Sequence, residues 1–197
     1  MGTLEFTAEQ LDLMREELES LRKENERLVA LAYRDPLTGL RNRRCFSERL
    51  SEETCRSIRR HTQVSVICVD VNGFKHLNDT QGHPAGDAAL VGVGQFLESL
   101  TRAEDLCCRI GGDEFAVLLP DTDATQCRFV VQRLRARLGD LAEYGLHQGL
   151  SIGSATLRPG EDELSVLARA DQDMYSDKRA LKRRALTDDA VHRASAA

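Results

Sequence analysis

The stretch R-I-G-G-D-E-F-A-V-L-L-P, residues 109–120, places two glycines and two carboxylates directly before an apolar run. The apolar run is typical of a buried strand, and Gly111–Gly112 favours a tight turn before it. We therefore predict a β-hairpin whose two strands cover residues 105–110 and 114–120. This prediction places Asp113 and Glu114 at the edge of a sheet, where carboxylates need a positive partner. The rest of the chain must therefore supply a cation or a basic side chain near them.

Helical and strand patterns alternate on both sides of this hairpin. Residues 63–71, Q-V-S-V-I-C-V-D-V, form a β-branched buried strand, and 148–157 form another. Helices are predicted over residues 42–60, 84–100, 123–138 and 162–184. This order predicts an α+β fold of the ferredoxin-like or polymerase-palm kind, with a mixed central sheet flanked by helices, rather than a purely parallel doubly wound sheet.

Length, charge and composition exclude several classes of protein. Its 197 residues suffice for one full domain with an appendage. The net charge of −5 argues against binding to a nucleic-acid polymer, which normally needs a basic surface. The sequence contains no apolar window of about 20 residues and no N-terminal signal peptide, so we expect a cytoplasmic protein without a membrane segment.

The six cysteines show no spacing typical of a metal or redox site. They stand at positions 45, 55, 68, 107, 108 and 127, and no pair has C-x-x-C spacing. Most lie in apolar stretches, so we expect reduced and buried side chains.

A heptad pattern covers residues 4–33 and predicts a coiled-coil dimerisation helix in the segment 1–34. One seam position is occupied by Leu4, Leu11, Leu18, Asn25 and Ala32, and the other by Thr7, Met14, Leu21 and Leu28. A buried amide at an a position, here Asn25, is best satisfied by its mate in a parallel two-stranded pair. The alternative is a helix that packs against its own domain, although its opposite face is polar throughout.

The domain begins after a break in this helix. In Y-R-D-P-L-T-G-L, residues 33–40, Pro36 disfavours helical geometry at Asp35, and Gly39 interrupts the chain again. We therefore place the domain at 35–184, and we expect the segment 185–197 to be a disordered tail.

Three carboxylates are expected to converge if the first strand lies beside the hairpin. Asp70 ends that strand, and Asp113 and Glu114 belong to the hairpin. Like charges at close range are costly unless a cation lies between them, and hard divalent ions such as Mg²⁺ prefer oxygen ligands. Two such ions are a standard device for phosphoryl or nucleotidyl transfer.

Gly111 and Gly112 would then let a nucleotide approach the backbone and allow positive φ. A plain hairpin turn explains the two glycines equally well.

The segment V-N-G-F-K-H-L-N-D-T-Q-G-H-P-A-G-D, residues 71–87, indicates nucleotide binding. A glycine-containing turn beside Lys75 could cradle phosphates, and Asn78 with Asp87 could read the edge of a guanine base. His83 could either bind the ligand or simply start a helix.

Four stretches follow one another along the chain: D-P-L-T-G-L-R-N-R-R at 35–44, D-V-N-G-F-K-H-L-N-D-T-Q-G-H-P-A-G-D at 70–87, R-I-G-G-D-E-F at 109–115 and D-Q-D-M-Y-S-D-K at 171–178. In these stretches and in their order, the sequence resembles a known family, the GGDEF domains or diguanylate cyclases, from about Asp35 to Lys182. The resemblance implies a palm-like fold. It also implies condensation of two GTP into cyclic di-GMP with release of two pyrophosphates, by two domains that face each other in a homodimer.

The resemblance also implies roles for individual residues. Two Mg²⁺ ions per site, or Mn²⁺ in their place, would be held by Asp70, the carbonyl of Val71, Asp113 and Glu114. Asp113 would help to deprotonate the 3′-hydroxyl, with Glu114 assisting, and Lys75 would steady the developing charge. The substrate would be bound by Phe74, Asn78, His83, Asp87, Gly111, Gly112, Lys178 and Lys182.

Two departures from the family pattern concern substrate binding. Asn72 stands where many members have Asp, at a position that the metal cage does not require. Leu181 and Lys182 replace a Gly-Arg pair, so the charge is kept but the bidentate fork of arginine is lost. We expect weaker triphosphate binding there. The basic cluster 178–183 could instead complement the dipole at a helix C-terminus.

A product-binding site is also implied. R-A-E-D, residues 102–105, ends the same short distance before the signature as the family's inhibitory R-x-x-D motif. Arg102 and Asp105, with Arg133 as a second arginine, would bind cyclic di-GMP and give feedback inhibition.

Two alternatives to an active cyclase remain open. One is a catalytically silent GGDEF module that acts as a cyclic di-GMP receptor. The other is class III cyclisation of GTP to cyclic GMP.

Overall fold

The computed structural model describes residues 7–195, except for the side chains of residue 30 and of residues 184–195. Its helices are α1 (Ala8–Tyr33), α2 (Arg43–Arg60), α3 (Phe74–Gln81), α4 (His83–Ser99), α5 (Ala124–Ala136) and α6 (Glu163–Ser195), with a 3₁₀ helix over Leu138–Tyr144. Its strands are β1 (Arg41–Asn42), β2 (Ser65–Val71), β3 (Leu106–Arg109), β4 (Glu114–Leu119) and β5 (Leu150–Thr156).

The strands form one mixed sheet in the order β1-β3-β4-β2-β5. β1 runs parallel to β3, and all other neighbours are antiparallel. The predicted hairpin is confirmed, since β3 pairs with β4 with Arg109 opposite Phe115. The α+β fold with a mixed, helix-flanked sheet is confirmed as well.

Helices cover both faces of the sheet. Because side chains alternate along each strand, every strand contributes residues to both faces. Ile67, Val69 and Val71 of β2 enter a core that also contains residues of α4, α5 and the 3₁₀ helix. Val66 and Cys68, on the other face, pack in a second core with residues of α2 and α6. Asp70 has the same parity as Val66 and Cys68, so its side chain points to the face that α2 and α6 cover.

The exposed edge of β5 is protected by charged side chains. Asp173 and Asp177 of α6 accept the backbone N–H groups of Ser154 and Ile152 at 2.8 and 2.9 Å. Arg135 donates to the carbonyl of Ile152 at 3.0 Å. Such caps discourage pairing with another strand and attach α6 firmly to the sheet. Gly153 adds close contact, because a Cβ there would overlap with the backbone of α6 at Met174 and Ala170.

Helix α1 does not pack against the domain along most of its length. Every described side chain from Thr7 to Val29 is exposed. The alternative of a helix packed on its own domain therefore does not describe this part of the chain. The predicted seam residues Leu11, Met14 and Leu18 are about half exposed, and Leu4 lies outside the described residues.

The side chain of Asn42 joins the end of α1 to the start of α2. The Asn42 Nδ2 donates to the carbonyls of Ala32 and Arg34, at 2.9 and 3.4 Å, and so caps the end of α1. The Oδ1 of the same amide accepts the Cys45 N–H and caps the start of α2.

Several local features differ from the predictions. The short helix α3 and the two-residue strand β1 were not predicted. Helix α6 continues to Ser195, through most of the segment predicted as a disordered tail. That segment contains no glycine or proline to interrupt a helix. The basic cluster 178–183 consequently lies within the helix rather than at its end, so the dipole explanation for it is wrong.

The cysteines are free, and all but Cys55 are buried. Burial raises the pKa of Cys107 to about 11 and that of Cys68 to about 12, which keeps both thiols protonated. Within residues 7–195, no helix is long and apolar enough to cross a membrane.

Candidate active site

The first strand and the hairpin are neighbours, which brings the predicted carboxylates together. Asp70 at the end of β2 lies directly opposite Glu114 at the start of β4. Their side chains point to the same face, because directly opposed residues in an antiparallel pair share a face. The Val71 N–H donates to the carbonyl of Asp113 at 3.1 Å. Since the N–H and C=O of one residue face the same neighbour in such a ladder, the Val71 carbonyl also faces the signature turn.

Lys178 holds the carboxylate of Asp70. Its Nζ lies 2.7 Å from both carboxylate oxygens, and only 10% of the Asp70 side chain is exposed. The family resemblance predicts Lys178 at the outer phosphates of a bound nucleotide, whereas in the structure it is paired with a proposed metal ligand. Lys182, one turn further along α6, is exposed.

The two glycines of the signature turn differ in their surroundings. Neither Gly111 nor Gly112 has a positive φ, so the expectation on this point is wrong. A Cβ on Gly111 would overlap with the carboxylate of Glu114. At Gly112 a Cβ would meet nothing within 4 Å, and the carbonyl accepts two hydrogen bonds from Arg109, at 2.7 and 3.2 Å.

Two arginines that the sequence analysis did not single out support this turn. Arg43 of α2 donates to the carbonyl of Ile110 at 2.6 Å, and its guanidinium lies 3.8 Å from Glu114. Arg109 contacts Asp35 at 3.1 and 3.2 Å while it binds Gly112. Both stand in quoted motifs, R-N-R-R and R-I-G-G-D, but spacing alone does not show what their side chains contact.

The side chain of Asn78 has an unpaired buried acceptor. Its Oδ1 is buried and has no hydrogen-bond partner among the described residues. Leaving such an atom unpaired costs about 1–3 kcal/mol, which indicates a place for a ligand donor. Gly86, in the first turn of α4, provides room for this amide, because a Cβ there would overlap with Asn78 Oδ1.

The other predicted substrate residues surround this amide on α3 and α4. Phe74 is half-buried against the larger core, and its ring would lie 3.2 Å from a Cβ on Gly86. Lys75, His83 and Asp87 are exposed. His83 is the first residue of α4, which agrees with the helix-start alternative for this residue.

Asn72, the first departure from the family pattern, has a structural role. It is buried, its Oδ1 accepts from the Ser151 hydroxyl at 2.8 Å, and its Nδ2 donates to the carbonyl of Gln148 at 3.2 Å. These bonds tie the end of β2 to β5.

The predicted product-binding residues lie in a turn before β3. The Arg102 N–H donates to the Asp105 carboxylate at 2.8 Å. Burial raises the pKa of Asp105, against the opposing effects of that hydrogen bond and of the charges on Arg102 and Arg133. Arg102 and Asp105 line a cavity of about 620 Å³, together with Arg49 and Arg56 of α2.

The described carboxylates do not form a metal cluster in the structure. Among the residues the structure describes, no three His, Cys, Asp or Glu side chains are grouped to hold a metal ion. The donors at the strand ends nevertheless fit a hard cation in chemistry, since all are oxygens. The ammonium group of Lys178 shows that Asp70 accepts a positive partner at this position.

Comparison with known proteins identifies the family. A family model described as "Diguanylate cyclase, GGDEF domain" matches residues 32–184. The chain belongs to the GGDEF family.

Curated relatives of this GGDEF chain include a protein named as a diguanylate cyclase and one named as a response regulator. Diguanylate cyclase DgcP of Pseudomonas aeruginosa is 35% identical over 183 residues, 91% of this chain and 27% of that protein. Response regulator PleD of Caulobacter vibrioides is 36% identical over 165 residues, 80% of this chain and 36% of that protein. The GGDEF chain thus spans about a quarter to a third of these two relatives.

Solved structures show the same fold. The coiled coil and GGDEF domain of DgcB from Caulobacter crescentus, solved with c-di-GMP, has a TM-score of 0.79 at 28% identity. That match covers 86% of this chain and 93% of DgcB. Diguanylate cyclase SiaD from Pseudomonas aeruginosa, solved with its activator SiaC, has a TM-score of 0.69 at 34% identity and covers 86% and 67%.

Proposed function

We propose that the chain is an active diguanylate cyclase, which condenses two GTP into cyclic di-GMP and releases two pyrophosphates. The observation that supports this proposal best is the pairing of Asp70 with Glu114 at adjacent strand ends, with Asp113 beside them. A silent module would have no need for this set of carboxylates, and many relatives are named diguanylate cyclases.

The reaction needs two copies of the domain. Each 3′-hydroxyl attacks the α-phosphorus of the GTP on the partner copy. Two O3′–P bonds form, two bonds to pyrophosphate break, and two hydroxyl protons are lost. Asp113, assisted by Glu114, would accept the proton, while Lys75 at the start of α3 would stabilise the charge on the phosphate.

Magnesium would be held by Asp70, the Val71 carbonyl, Asp113 and Glu114. When bound, it would neutralise the charge of the triphosphate and favour attack at phosphorus. These residues supply only oxygen donors, which suits Mg²⁺ and Mn²⁺. We propose two ions per site, in keeping with nucleotidyl transfer in general.

Guanine would bind between α3 and α4. The buried Oδ1 of Asn78 is an acceptor without a partner, and an N–H group of guanine would satisfy it. Asp87 would accept from the same edge of the base, with Phe74 and His83 alongside. Gly111 and Gly112 would let the nucleotide approach the turn, and Lys178 and Lys182 would bind its outer phosphates.

Helix α1 would bring the two domains together as a parallel coiled coil. Its exposed leucines, which include Leu11, Leu18 and Leu21, would be buried in the pair.

In the same active protein, cyclic di-GMP would bind Arg102, Asp105 and Arg133 and inhibit further synthesis. The cavity beside Arg102 and Asp105 supports this product site. The structure of DgcB with c-di-GMP supports binding of the product by a related domain.

One incubation separates the proposal from its alternatives. We expect GTP and Mg²⁺ to yield cyclic di-GMP and pyrophosphate, identified by mass spectrometry. No product would favour a silent cyclic di-GMP receptor, and cyclic GMP would indicate class III cyclisation. Both results would contradict the proposal.

The same assay tests the carboxylates. D70N and E114Q should each lower turnover at least about 100-fold, because charge stabilisation in the transition state is worth several kcal/mol. E98Q, an exposed carboxylate on α4, is the matched control and should keep full activity.

A further inference from the structure

Lys178 and Asp70 form a two-point ion pair across the fold. The ammonium nitrogen lies 2.7 Å from each carboxylate oxygen, so one lysine uses both oxygens. The two side chains are 28% and 10% exposed, which makes this a partly buried pair rather than a surface one. A carboxylate this well buried is costly to leave without a positive partner.

The position of Lys178 follows from the packing of α6. The preceding residue, Asp177, accepts the Ile152 N–H of β5, and Asp173 one turn earlier accepts the Ser154 N–H. Gly153 lets the helix backbone lie directly on the strand. Because α6 is attached to β5 at these points, Lys178 is held within reach of Asp70 on the neighbouring strand β2.

These contacts conflict with the simplest view of the proposed active site. Asp70 is a proposed metal ligand, and Lys178 is a proposed phosphate ligand. In the structure, each of these side chains is paired with the other. Neither can take its proposed role until the pair separates.

We propose that Lys178 is an exchangeable internal cation, which occupies Asp70 until a nucleotide triphosphate arrives. The triphosphate gives the ammonium group a new anionic partner, and Asp70 then becomes free to bind the divalent ion. Each carboxylate and phosphate stays paired with a cation throughout the exchange. This inference rests on the proposed function, since it assumes that the site binds a nucleotide and a metal.

The exchange makes metal binding and nucleotide binding depend on each other. In the absence of nucleotide, a divalent ion must displace Lys178 before it can use Asp70, so it binds weakly. Nucleotide removes that competition and therefore strengthens metal binding, and by linkage the metal strengthens nucleotide binding equally. Removal of the lysine should abolish this part of the coupling.

The test is a titration of Mn²⁺ alone into the protein without nucleotide. Electron paramagnetic resonance measures the concentration of free Mn²⁺ at each step. We expect K178M to bind Mn²⁺ about 10-fold more tightly than the unchanged chain, within the usual range of coupling between sites. K178R keeps a cation beside Asp70 and should bind as weakly as the unchanged chain. D70N should remove the tight binding from K178M.

R179M is the matched control for charge. Arg179 is the next residue of α6, is exposed, and stacks on the Tyr175 ring instead of contacting Asp70. This variant loses the same unit of charge, and its Mn²⁺ affinity should change less than about 2-fold, because exposed charges are screened. Thermal melts check that each variant is folded, and K178Q replaces K178M if the methionine variant does not fold.

A second titration includes a GTP analogue that cannot react. The analogue should raise Mn²⁺ affinity in the unchanged chain, and this increase should be about 10-fold smaller in K178M. If K178M binds Mn²⁺ no better than R179M in the absence of nucleotide, the proposal is overturned. The first titration contains no nucleotide, so its outcome is independent of whether the chain makes cyclic di-GMP.

Discussion

At the scale of single residues, the space around Gly86 sets the position of the Asn78 amide, which we propose reads the base. Gly86 lies in an ordinary helical conformation, so its backbone does not require glycine. A side chain at this position would instead overlap with Asn78 Oδ1 and crowd the Phe74 ring. The glycine is therefore needed to make room for the amide and not for the helix.

We predict that G86A impairs recognition of guanine. The added methyl group must displace the Asn78 amide, and the loss of one hydrogen bond to the base costs about 1.4 kcal/mol, or roughly 10-fold in KM for GTP. The preference for GTP over ITP, which lacks the 2-amino group, should fall as well. Steady-state kinetics with both nucleotides measures this change.

G139A is the control for the effect of adding a methyl group. A Cβ on Gly139 would meet nothing within 4 Å. Its KM should remain unchanged. An unaltered KM and base preference in G86A would show that Asn78 does not read the base from its observed position.

At the scale of elements, the entry segment is bound directly to the signature turn. Asp35, two residues after α1, accepts hydrogen bonds from the Thr38 N–H and hydroxyl at 2.8 and 2.7 Å. It also contacts Arg109, which holds the carbonyl of Gly112. The end of the predicted coiled coil is therefore joined to the turn that bears Asp113 by two side chains.

We predict that D35N destabilises the domain. Burial alone would raise the pKa of Asp35, but the hydrogen bonds from Thr38 and Arg109 outweigh it and lower the pKa below its ordinary value of 3.8. A carboxyl with a lowered pKa in the folded state stabilises the fold when it is ionised. D35N should lower the free energy of unfolding by about 2 kcal/mol at pH 7, as measured by urea denaturation.

The loss of stability in D35N should depend on pH, because only the ionised carboxylate of Asp35 stabilises the fold. The difference between D35N and the unchanged chain should be full above pH 3.8 and should shrink as the pH falls further. D140N removes an exposed ion pair with Arg137 and should cost less than about 1 kcal/mol. An equal loss of stability in both variants would contradict a special role for Asp35.

At the scale of the whole molecule, helix α1 leaves a long apolar stripe uncovered. Leu21 at a seam position and Leu13 outside the seam are both 62% exposed in the single chain. Exposure therefore does not distinguish them, whereas the heptad pattern does. In a parallel pair only the seam residue would be buried.

We predict that L21D disrupts the dimer and L13D does not. Burial of unpaired charges in the seam costs several kcal/mol, so the dissociation constant of L21D should rise about 100-fold or more. Analytical ultracentrifugation measures it. Cyclase activity at micromolar protein should be lost in L21D and kept in L13D. Equal effects of the two changes would contradict the coiled coil.

The sequence by itself determined most of the fold and the identity of the carboxylates. Long periodic stretches place β2, the hairpin and the large helices, because their patterns reflect burial on known faces. The helix α3 and the strand β1 were not predicted, because segments of eight and two residues are too short to show a period. The residue types at the strand ends indicated a site for a cation and a nucleotide.

Only the tertiary structure decided which partners these residues take. The pairing of Lys178 with Asp70 joins positions 108 residues apart, and that of Arg109 with Asp35 joins positions 74 apart. Gly86 leaves room for the side chain of Asn78, and Gly111 leaves room for that of Glu114. The local sequence contains no sign of either contact. Such contacts depend on how helices lie across the sheet, and local spacing does not determine that arrangement.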